Sequence, residues 1–397
     1  MGNVLVLVEN ESVPGDTRVW AECVSLQRAG WDVTVICPKG PGFDLEGFVE
    51  LEGVRIHRYD ASPSASGLGY VREYGSALLR MAGLVRRLSR TTRFDVVHAC
   101  NPPDFLLLAA VNLRRRGTAM IFDHHDLSPE LYRAKFGGNR AVLAALRIAE
   151  RVGLGLADVV LATNESIRAI LVERGRKSAD DVFVVRNGPD TDVFRPVEPD
   201  QDLRVGADHL IGYVGVMGPQ DGVDVALEAL AVLRRRREDW HAVFVGDGDA
   251  LSGAKALAQE RGLKDSVSFP GYVRDPHRLV RMIAACDVCI SPEPRNALNE
   301  RSTLVKVAEY MAVGRPLVAF DLEETRRTAE DAAVYAAGDD PAAFAEAIAG
   351  LLDDAVERER MGAVGRERAE SMLSWSASEK VLLAAYARAL EVADRRS

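Results

Sequence analysis

A lysine and a glutamate three residues apart are the first candidates for chemistry in this sequence. Lys306 and Glu309 lie in "STLVKVAEYMAVGRPLVAF", residues 302–320, where the apolar residues recur at helical spacing. We therefore expect both charges on a separate face of a helix that opens at Ser302. A cation beside free helix amides suits an anionic group, and a carboxylate suits hydroxyl donors. The alternative is an exposed helical ion pair, worth about 0.2–0.5 kcal/mol.

A glycine-rich turn is the second candidate. "GVMGPQDG", residues 215–222, follows a predicted strand and precedes a predicted helix. Its backbone amides, chiefly that of Gly218, are therefore placed to bind phosphate. The alternative is a tight turn that needs glycine for its backbone conformation alone.

The elements that position these residues alternate between strand and helix. Seven strand candidates precede a segment rich in Pro and acids at 187–209, and five follow it. They are 3–8, 32–37, 53–58, 94–99, 118–123, 158–162 and 181–186, then 210–216, 241–246, 266–269, 287–291 and 316–320. This pattern predicts an α/β chain with two doubly wound, Rossmann-like domains. The predicted domain bounds are 1–190, a linker at 191–206, a second domain at 207–375 and a C-terminal helix at 376–397.

Composition excludes several other classes of protein. With 47% hydrophobic and 27% charged residues, the 397-residue chain is globular and long enough for two cores. A net charge of −9 argues against a general nucleic-acid binder. Neither a transmembrane span nor a signal peptide is expected, so we predict a cytoplasmic enzyme, and peripheral contact with the inner face of a membrane is left open. The five cysteines are expected to be buried free thiols, since no second CxxC completes a zinc site.

Six stretches of the sequence, in this order, resemble the retaining glycosyltransferases of family 4, also called glycosyl transferases group 1. They are "GDTRVWAECVSLQRAGWDVTVI", "FDVVHA", "VVRNGPDTDVFRP", "IGYVGVMGPQDGVDVALEAL", "FVGDGD" and "ERSTLVKVAEYMAVGRPLVAFD". The resemblance covers nearly the whole chain and is greatest for the bacterial branch that builds surface polysaccharides or modifies small sugars. It implies the GT-B architecture, in which two Rossmann-like domains face each other across a cleft and the C-terminal helices return toward the first domain.

The resemblance also implies a reaction. A hexosyl or N-acetylhexosaminyl group would pass from a nucleotide diphosphate sugar, with UDP favoured, to a hydroxyl of a sugar, a lipid-linked saccharide or a small molecule. The anomeric configuration would be retained, without a bound metal and without a cofactor other than the nucleotide sugar. Lys306 would hold the diphosphate, Glu309 the ribose, and Glu324 would contact the donor sugar.

The donor side departs from the family pattern at two cations. Where many relatives have an arginine and a lysine in the glycine-rich turn, this chain has Val216 and Asp221. Either Lys306, the turn amides and another cation such as Arg295 or Arg301 hold the diphosphate, or the donor is less highly charged. The other donor-site candidates are the neighbouring arginines and hydroxyls, Arg295, Arg301, Ser302 and Thr303.

On the acceptor side, the sequence departs from the family pattern at the position of a histidine. The usual family histidine falls at Cys100, so His125 in "DHHD", residues 123–126, becomes the catalytic candidate. Neighbouring side chains on extended chain point to opposite sides, so His124 is not expected to share its task. No metal is expected at "DHHD", because four consecutive residues rarely enclose one ion. The remaining substrate-binding candidates lie at or beyond the ends of predicted strands: Asp16, Arg18, His98, Asn101 and Asp126.

Other functions remain open at this stage. A surface salt bridge is the alternative for Arg18. A sugar-nucleotide 2-epimerase uses the same architecture, and a non-catalytic binding subunit would explain the missing cations. A nicotinamide dehydrogenase is excluded, because neither "GYVGVMG" nor "GDGDAL" has the GxGxxG spacing.

Overall fold

The computed structural model describes residues 2–40, 44–61 and 67–396, with the backbone alone over 67–73 and 134–135. Contacts within the chain divide it into two compact units. The first is Met1–Arg186 with Ser378–Ser397, and the second is Asn187–Ala377. Residues 191–206, predicted as a linker, lie inside the second unit, where Gln201–Arg204 forms a 3-10 helix. Over the described ranges, every helix is too short or too polar to cross a bilayer.

The first unit contains an eight-stranded sheet with strand order β3-β4-β2-β1-β5-β6-β7-β8. Its strands are β1 (Asn3–Leu7), β2 (Asp32–Pro38), β3 (Phe48–Leu51), β4 (Val54–Tyr59), β5 (Val96–Cys100), β6 (Ala119–His124), β7 (Val159–Ala162) and β8 (Val182–Val184). Its helices are α1 (Thr17–Arg28), α2 (Gly67–Leu88), α3 (Val111–Arg114), α4 (Ser128–Phe136), α5 (Arg140–Leu156) and α6 (Glu165–Glu173). Among the strand pairs that the described residues form in this unit, only β3–β4 is antiparallel.

The second unit contains a six-stranded parallel sheet with strand order β11-β10-β9-β12-β13-β14. Its strands are β9 (His209–Val214), β10 (Trp240–Val245), β11 (Val267–Gly271), β12 (Val288–Ser291), β13 (Leu317–Phe320) and β14 (Ala333–Ala336). Its helices are α7 (Val223–Arg234), α8 (Leu251–Glu260), α9 (Pro276–Ala285), α10 (Val305–Ala312), α11 (Glu323–Ala329), α12 (Pro341–Asp353) and α13 (Ala355–Arg368). The last helix, α14 (Trp375–Arg396), begins in this unit, and from Ser378 onward it belongs to the first.

Both sheets reverse their strand order at one point, which lies between β1 and β5 in the first unit and between β9 and β12 in the second. In open α/β sheets, ligands bind beyond the carboxyl ends of the strands at such a switch point. The central strands are almost fully buried on both faces, as the apolar runs in the sequence predict. Each unit therefore presents one ligand-binding edge at a defined place.

All twelve predicted strands are present, but two further strands were missed. β3 is a short edge strand with three of its four residues exposed, and β14 is an edge strand behind an acidic turn. Both lack the buried apolar run that marks the central strands. The five cysteines are free and buried, as predicted.

Candidate functional site

Lys306 is buried in the second unit and does not pair with Glu309. Its Nζ donates to Glu293 Oε1 at 2.5 Å and to the Tyr213 hydroxyl at 3.0 Å. Burial alone would lower the pKa of the ammonium, but Glu293 and Tyr213 outweigh it and hold the pKa above its usual value. The alternative of an exposed ion pair between Lys306 and Glu309 is wrong, because the first turn of α10 packs Lys306 toward β9.

Glu293, which sequence reasoning missed, is the fully buried partner that fixes this lysine. It follows β12 at the switch point of the second sheet, and its Oε2 accepts from Ser291 Oγ at 2.5 Å. The ammonium of Lys306 also lies against Gly215, where an added Cβ would come within 2.9 Å of Nζ. Two of the three N–H groups of Lys306 are thus engaged, and one remains for a ligand beside the glycine-rich turn.

Glu309 lies one turn beyond Lys306 on α10 and is half-buried. Its carboxylate forms no hydrogen bond or ion pair with any of the described residues. Burial raises the pKa of its carboxyl to about 7, against the opposing effect of Lys306. A carboxylate held without partners in a poorly solvated position is unfavourable unless a ligand supplies donors.

The glycine-rich turn does not offer the Gly218 amide freely. Gly218 N donates to Asp221 Oδ2 at 2.8 Å, and Gln220 Nε2 donates to the same oxygen at 3.2 Å. Gly222, with φ of 68°, lies so close to Pro292 that a Cβ would meet its carbonyl oxygen at 2.1 Å. The turn therefore needs glycine for backbone reasons as well, and a protein carboxylate occupies the amide that was predicted to bind phosphate.

The remaining donor-side candidates precede α10 or open α11. The helix predicted to open at Ser302 begins at Val305, because residues 302–304 are extended and Ser302 Oγ donates to Leu298 O. Arg295 donates to Glu300 and to the Asp321 carbonyl, so its guanidinium is already engaged. The other candidates are half-buried or buried in the same region: Arg301, Thr303 and Glu324, the last paired with Arg327 at 2.7 Å.

An open pocket of about 530 Å³ lies among these residues at the carboxyl end of β13. Its lining is entirely from the second unit and alternates in charge: Arg295, Ala297, Glu300, Arg301, Asp321, Glu323 and Arg326. Arg295 and Arg301 therefore share one cavity, whereas Lys306 and Glu309 are not part of its lining.

In the first unit, Arg18 and His125 meet on the carboxylate of Asp123. Arg18 Nη2 and Nε donate to its two oxygens at 2.9 and 3.1 Å, and His125 Nε2 lies 2.6 Å from Oδ2. Burial opposes ionisation of Asp123, but Arg18 and His125 outweigh it and hold the pKa of that carboxyl well below its usual range. An ionised Asp123 must accept from His125 Nε2–H, which leaves Nδ1 as the ring nitrogen with a lone pair.

Arg18 is therefore not the substrate-binding residue that the sequence predicted. It is buried, its Nη1 donates to Val185 O at 2.8 Å, and its Nη2 also forms an ion pair with Glu22 Oε1 at 3.2 Å. The alternative of a surface salt bridge is also wrong. Arg18 instead positions Asp123, and through it His125.

Three other predicted substrate contacts have structural partners instead. Asp16 caps α1 by accepting from Val19 N, because it is the residue directly before the helix. Asn101 Oδ1 accepts from His125 N at 2.6 Å, and its amide donates to Asp104 and to the Asp126 carbonyl, so it shapes the turn after β6. His98 is fully buried, with Nδ1 2.9 Å from the Tyr386 hydroxyl on α14. Among the predicted substrate-binding residues, Asp126 alone has an exposed side chain.

His124 and His125 do point to opposite sides, as predicted. His124 is buried 3.6 Å from Glu150, whereas the His125 ring is partly exposed next to Asp123. Beneath His125, Glu22, His98, Cys100 and Asp123 place potential metal-binding atoms within 4.8 Å of one another. The Arg18 guanidinium already supplies the positive charge there, and burial together with Asp123 raises the pKa of Glu22 well above its usual value. A metal ion bound there would have to displace both the Arg18 guanidinium and the proton that the raised pKa favours on Glu22.

Two families match the chain, one on each unit. Residues 15–188 match the family described as "Glycosyl transferase 4-like domain", and residues 208–354 match "Glycosyl transferases group 1". Among curated proteins, the D-inositol 3-phosphate glycosyltransferase of Frankia alni is 29% identical over 320 residues, which are 76% of this chain and 75% of that protein.

Solved structures with the same fold cover almost all of the chain. The sucrose-phosphate synthase of Thermosynechococcus elongatus has a TM-score of 0.80 at 20% identity and covers 98% of both chains. HepE of Anabaena, solved in complex with UDP-glucose, has a TM-score of 0.73 at 17% identity, over 98% of this chain and 100% of that chain. At these identities the likeness concerns the fold.

Proposed function

We propose that the chain is a glycosyltransferase that uses a nucleotide diphosphate sugar as donor, because its two units match a 4-like domain and a group 1 domain of such enzymes. It transfers a hexosyl or N-acetylhexosaminyl group to a hydroxyl of a sugar, a lipid-linked saccharide or a small molecule, with retention of configuration. UDP is the favoured nucleotide. The complex of HepE with UDP-glucose supports this choice by analogy of fold.

The observation that carries this proposal is the unpartnered carboxylate of Glu309 beside a fixed lysine. A ribose diol supplies two hydroxyl donors, which is what a half-buried carboxylate lacks here. Lys306, held by Glu293 and Tyr213 at the switch point, keeps one N–H for the diphosphate. A ribose followed by a diphosphate would thus meet Glu309 and Lys306 in order along α10.

In the transfer step one bond forms, one bond breaks and one proton moves. A bond forms between the acceptor oxygen and the anomeric carbon, and the bond from that carbon to the diphosphate oxygen breaks. The acceptor proton passes to the released diphosphate. Lys306 stabilises the negative charge that grows on the leaving group, and because it is already oriented by two hydrogen bonds, it needs no reorganisation during the step.

His125 contributes from the first unit. With Nε2–H donated to Asp123, its Nδ1 can accept a hydrogen bond from a substrate hydroxyl and orient it. Arg18 keeps Asp123 ionised and in place, so the ring has one tautomer and one direction. His125 is thus the contact residue, and Arg18 and Asp123 are positioning residues.

A donor screen tests the proposal. The purified protein is heated with UDP-, GDP-, dTDP- and ADP-sugars, each at about 100 times the dissociation constant, where a bound ligand adds about 2.7 kcal/mol to the free energy of unfolding. We expect a UDP-sugar to raise the melting temperature most. If none of the nucleotide sugars raises it, the proposed donor site is wrong.

A second incubation separates transfer from epimerisation. The protein is mixed with the stabilising nucleotide sugar alone, and the nucleotide sugar is analysed by NMR after prolonged incubation. We expect it to be recovered essentially unchanged, because a transferase needs an acceptor. Conversion to an isomeric nucleotide sugar would replace the proposed function with a 2-epimerase.

A further inference from the structure

One face of the first unit exposes large apolar side chains together with arginines. It is formed by α2, the 3-10 turn Leu106–Ala110 and α5, and the turn contacts both helices. Leu79 on α2 is 75% exposed and Ile148 on α5 is 60% exposed, with Leu108 of the turn at 38%. We call this surface the α2–α5 face.

The exposed arginines of the α2–α5 face form no ion pairs with the described residues, although Arg80 lies near enough to Asp60 to help Lys39 lower the pKa of that carboxyl. Exposed arginines lie on both helices, and none of them forms an ion pair with a described residue: Arg80, Arg86, Arg87, Arg140, Arg147 and Arg151. Among the described side chains of these three elements, Glu150 is the one acid, and it is buried against Arg174. The face is thus strongly basic in a chain whose net charge is −9.

The spacing on α5 separates charge from apolar surface. Arg140, Arg147 and Arg151 follow one another after seven and four residues and so form one row along the helix. Ala141, Ala144 and Ile148 form the neighbouring exposed row. On exposed helices of the second unit, arginines form ion pairs along the helix, such as Arg360 with Glu357, which the arginines of α5 do not form with any described residue. A row of cations beside an apolar row is typical of helices that lie in a membrane interface.

We propose that the α2–α5 face docks on an anionic lipid bilayer, with the arginines at the headgroups and Leu79 and Ile148 inserted between them. Charge complementarity selects this occupant. A second copy of the chain in a two-fold dimer would bring the same arginines against one another, which is unfavourable. A nucleic acid would satisfy the arginines but would leave the leucine and isoleucine without apolar partners.

Vesicle flotation tests the docking. The full chain is mixed with vesicles of phosphatidylcholine alone or of phosphatidylcholine with phosphatidylglycerol, at low and high salt. We expect binding only to the vesicles with phosphatidylglycerol, and weaker binding at high salt, because screening shortens the range of the attraction. The Arg147→Glu/Arg151→Glu variant should bind at least about ten-fold more weakly. The assay contains no donor or acceptor, so its failure would leave the proposed transfer reaction untouched.

Matched control variants test whether vesicle binding depends on the α2–α5 face. Arg235→Glu/Arg236→Glu makes the same charge change on an exposed helix end of the second unit and should bind like the parent. Leu79→Ser/Ile148→Ser should weaken binding, whereas Val356→Ser, at a side chain that is 78% exposed on α13, should not. The proposal is overturned if the parent does not float with phosphatidylglycerol vesicles at low salt, or if the face and control variants bind alike. It is also overturned if the face variants abolish a dimer of the parent in solution, since a second copy would then be the occupant.

Discussion

The carboxylate of Glu293 lies 2.5 Å from the ammonium of Lys306, and both groups are buried beside the switch point of the second sheet. Removing one charge of such a pair leaves the other buried without a partner, which is strongly destabilising. Removing both can be nearly neutral for stability. The pair therefore allows the structural and the chemical role of Lys306 to be separated.

Replacing Lys306 should affect both activity and stability. Lys306→Ala should lower kcat/KM on the order of 10² to 10³, since one preorganised electrostatic donor is lost. It should also cost about 3–5 kcal/mol in the free energy of unfolding, because the buried carboxyl of Glu293 is left without its partner. Urea denaturation and steady-state kinetics measure the two effects.

The double variant Lys306→Met/Glu293→Gln is the control. It should recover most of the stability and none of the activity, because the buried charge is gone but the donor for the diphosphate is still missing. Recovery of activity together with stability would mean that Lys306 serves only to neutralise Glu293.

Donor binding should depend on the ionisation of Glu309. Its folded-state pKa of about 7 is above the usual carboxyl value, so the ligand-free protein holds a proton there that the unfolded chain releases. Stability of the ligand-free protein should therefore fall as the pH rises from the usual carboxyl range to about 7. Affinity for a nucleotide sugar should rise over the same interval, since the ionised carboxylate is the better acceptor.

Glu309→Gln removes both trends while keeping the size of the side chain. Titration calorimetry should give a loss of about 1.5–3 kcal/mol in donor affinity above the pKa, the value of a hydrogen bond to a charged group. The melting temperature should no longer fall between acidic and neutral pH. Donor binding equal to that of the parent at alkaline pH would contradict the ribose contact.

The sequence predicted the central strands because burial on both faces demands apolar runs, as in Val4 to Leu7 and Leu317 to Phe320. It selected Lys306 and Glu309 as candidates because a helix has a fixed period, and their role stays a prediction. It could not predict Glu293, since local sequence does not reveal that a glutamate between two prolines turns into the interior. Arg18 was misread for the same reason: its partner Asp123 is 105 residues away.

His125 and Asp123 should respond differently to substitution. His125→Gln removes a partly exposed ring, so stability should change by less than about 1 kcal/mol while kcat/KM falls about 10- to 100-fold through the lost hydroxyl contact. Asp123→Asn leaves Arg18 without its ionised partner and should cost about 3–5 kcal/mol. Equal stability losses in both variants would mean that His125 is structural.

The pH dependence of stability identifies the Asp123 contribution. The pKa of Asp123 lies well below its usual range in the folded state, so its stabilisation is present above the usual carboxyl pKa and is lost as the pH falls toward the folded-state value. Acid denaturation of Asp123→Asn should therefore be less steep than that of the parent. His125→Gln removes the weaker partner of Asp123 and should retain most of the steepness, because Arg18 remains.

Transfer should retain the anomeric configuration and should not require a metal ion. The proton coupling constant at the new anomeric centre, measured on the isolated product, distinguishes retention from inversion. Activity should persist in EDTA, because Arg18 already supplies the positive charge in the cluster of Glu22, His98, Cys100 and Asp123. Inversion, or a loss in EDTA that manganese restores, would contradict the corresponding part of the proposal.

The last prediction concerns Asp221, which holds the Gly218 amide in the place expected for a donor phosphate. Its negative charge should oppose the diphosphate, so Asp221→Asn, which keeps an oxygen acceptor for that amide, should tighten donor binding about five-fold at low salt. The gain should shrink as salt is added, since screening weakens the repulsion that the substitution removes. Asp221→Lys should tighten binding further, because it restores the cation found in many relatives. Asp265→Asn is the control, as this exposed aspartate lies just before β11, at the amino edge of the sheet. If Asp221→Asn weakens donor binding while Asp265→Asn does not, the carboxylate holds the turn in its binding conformation, and competition with the diphosphate is wrong.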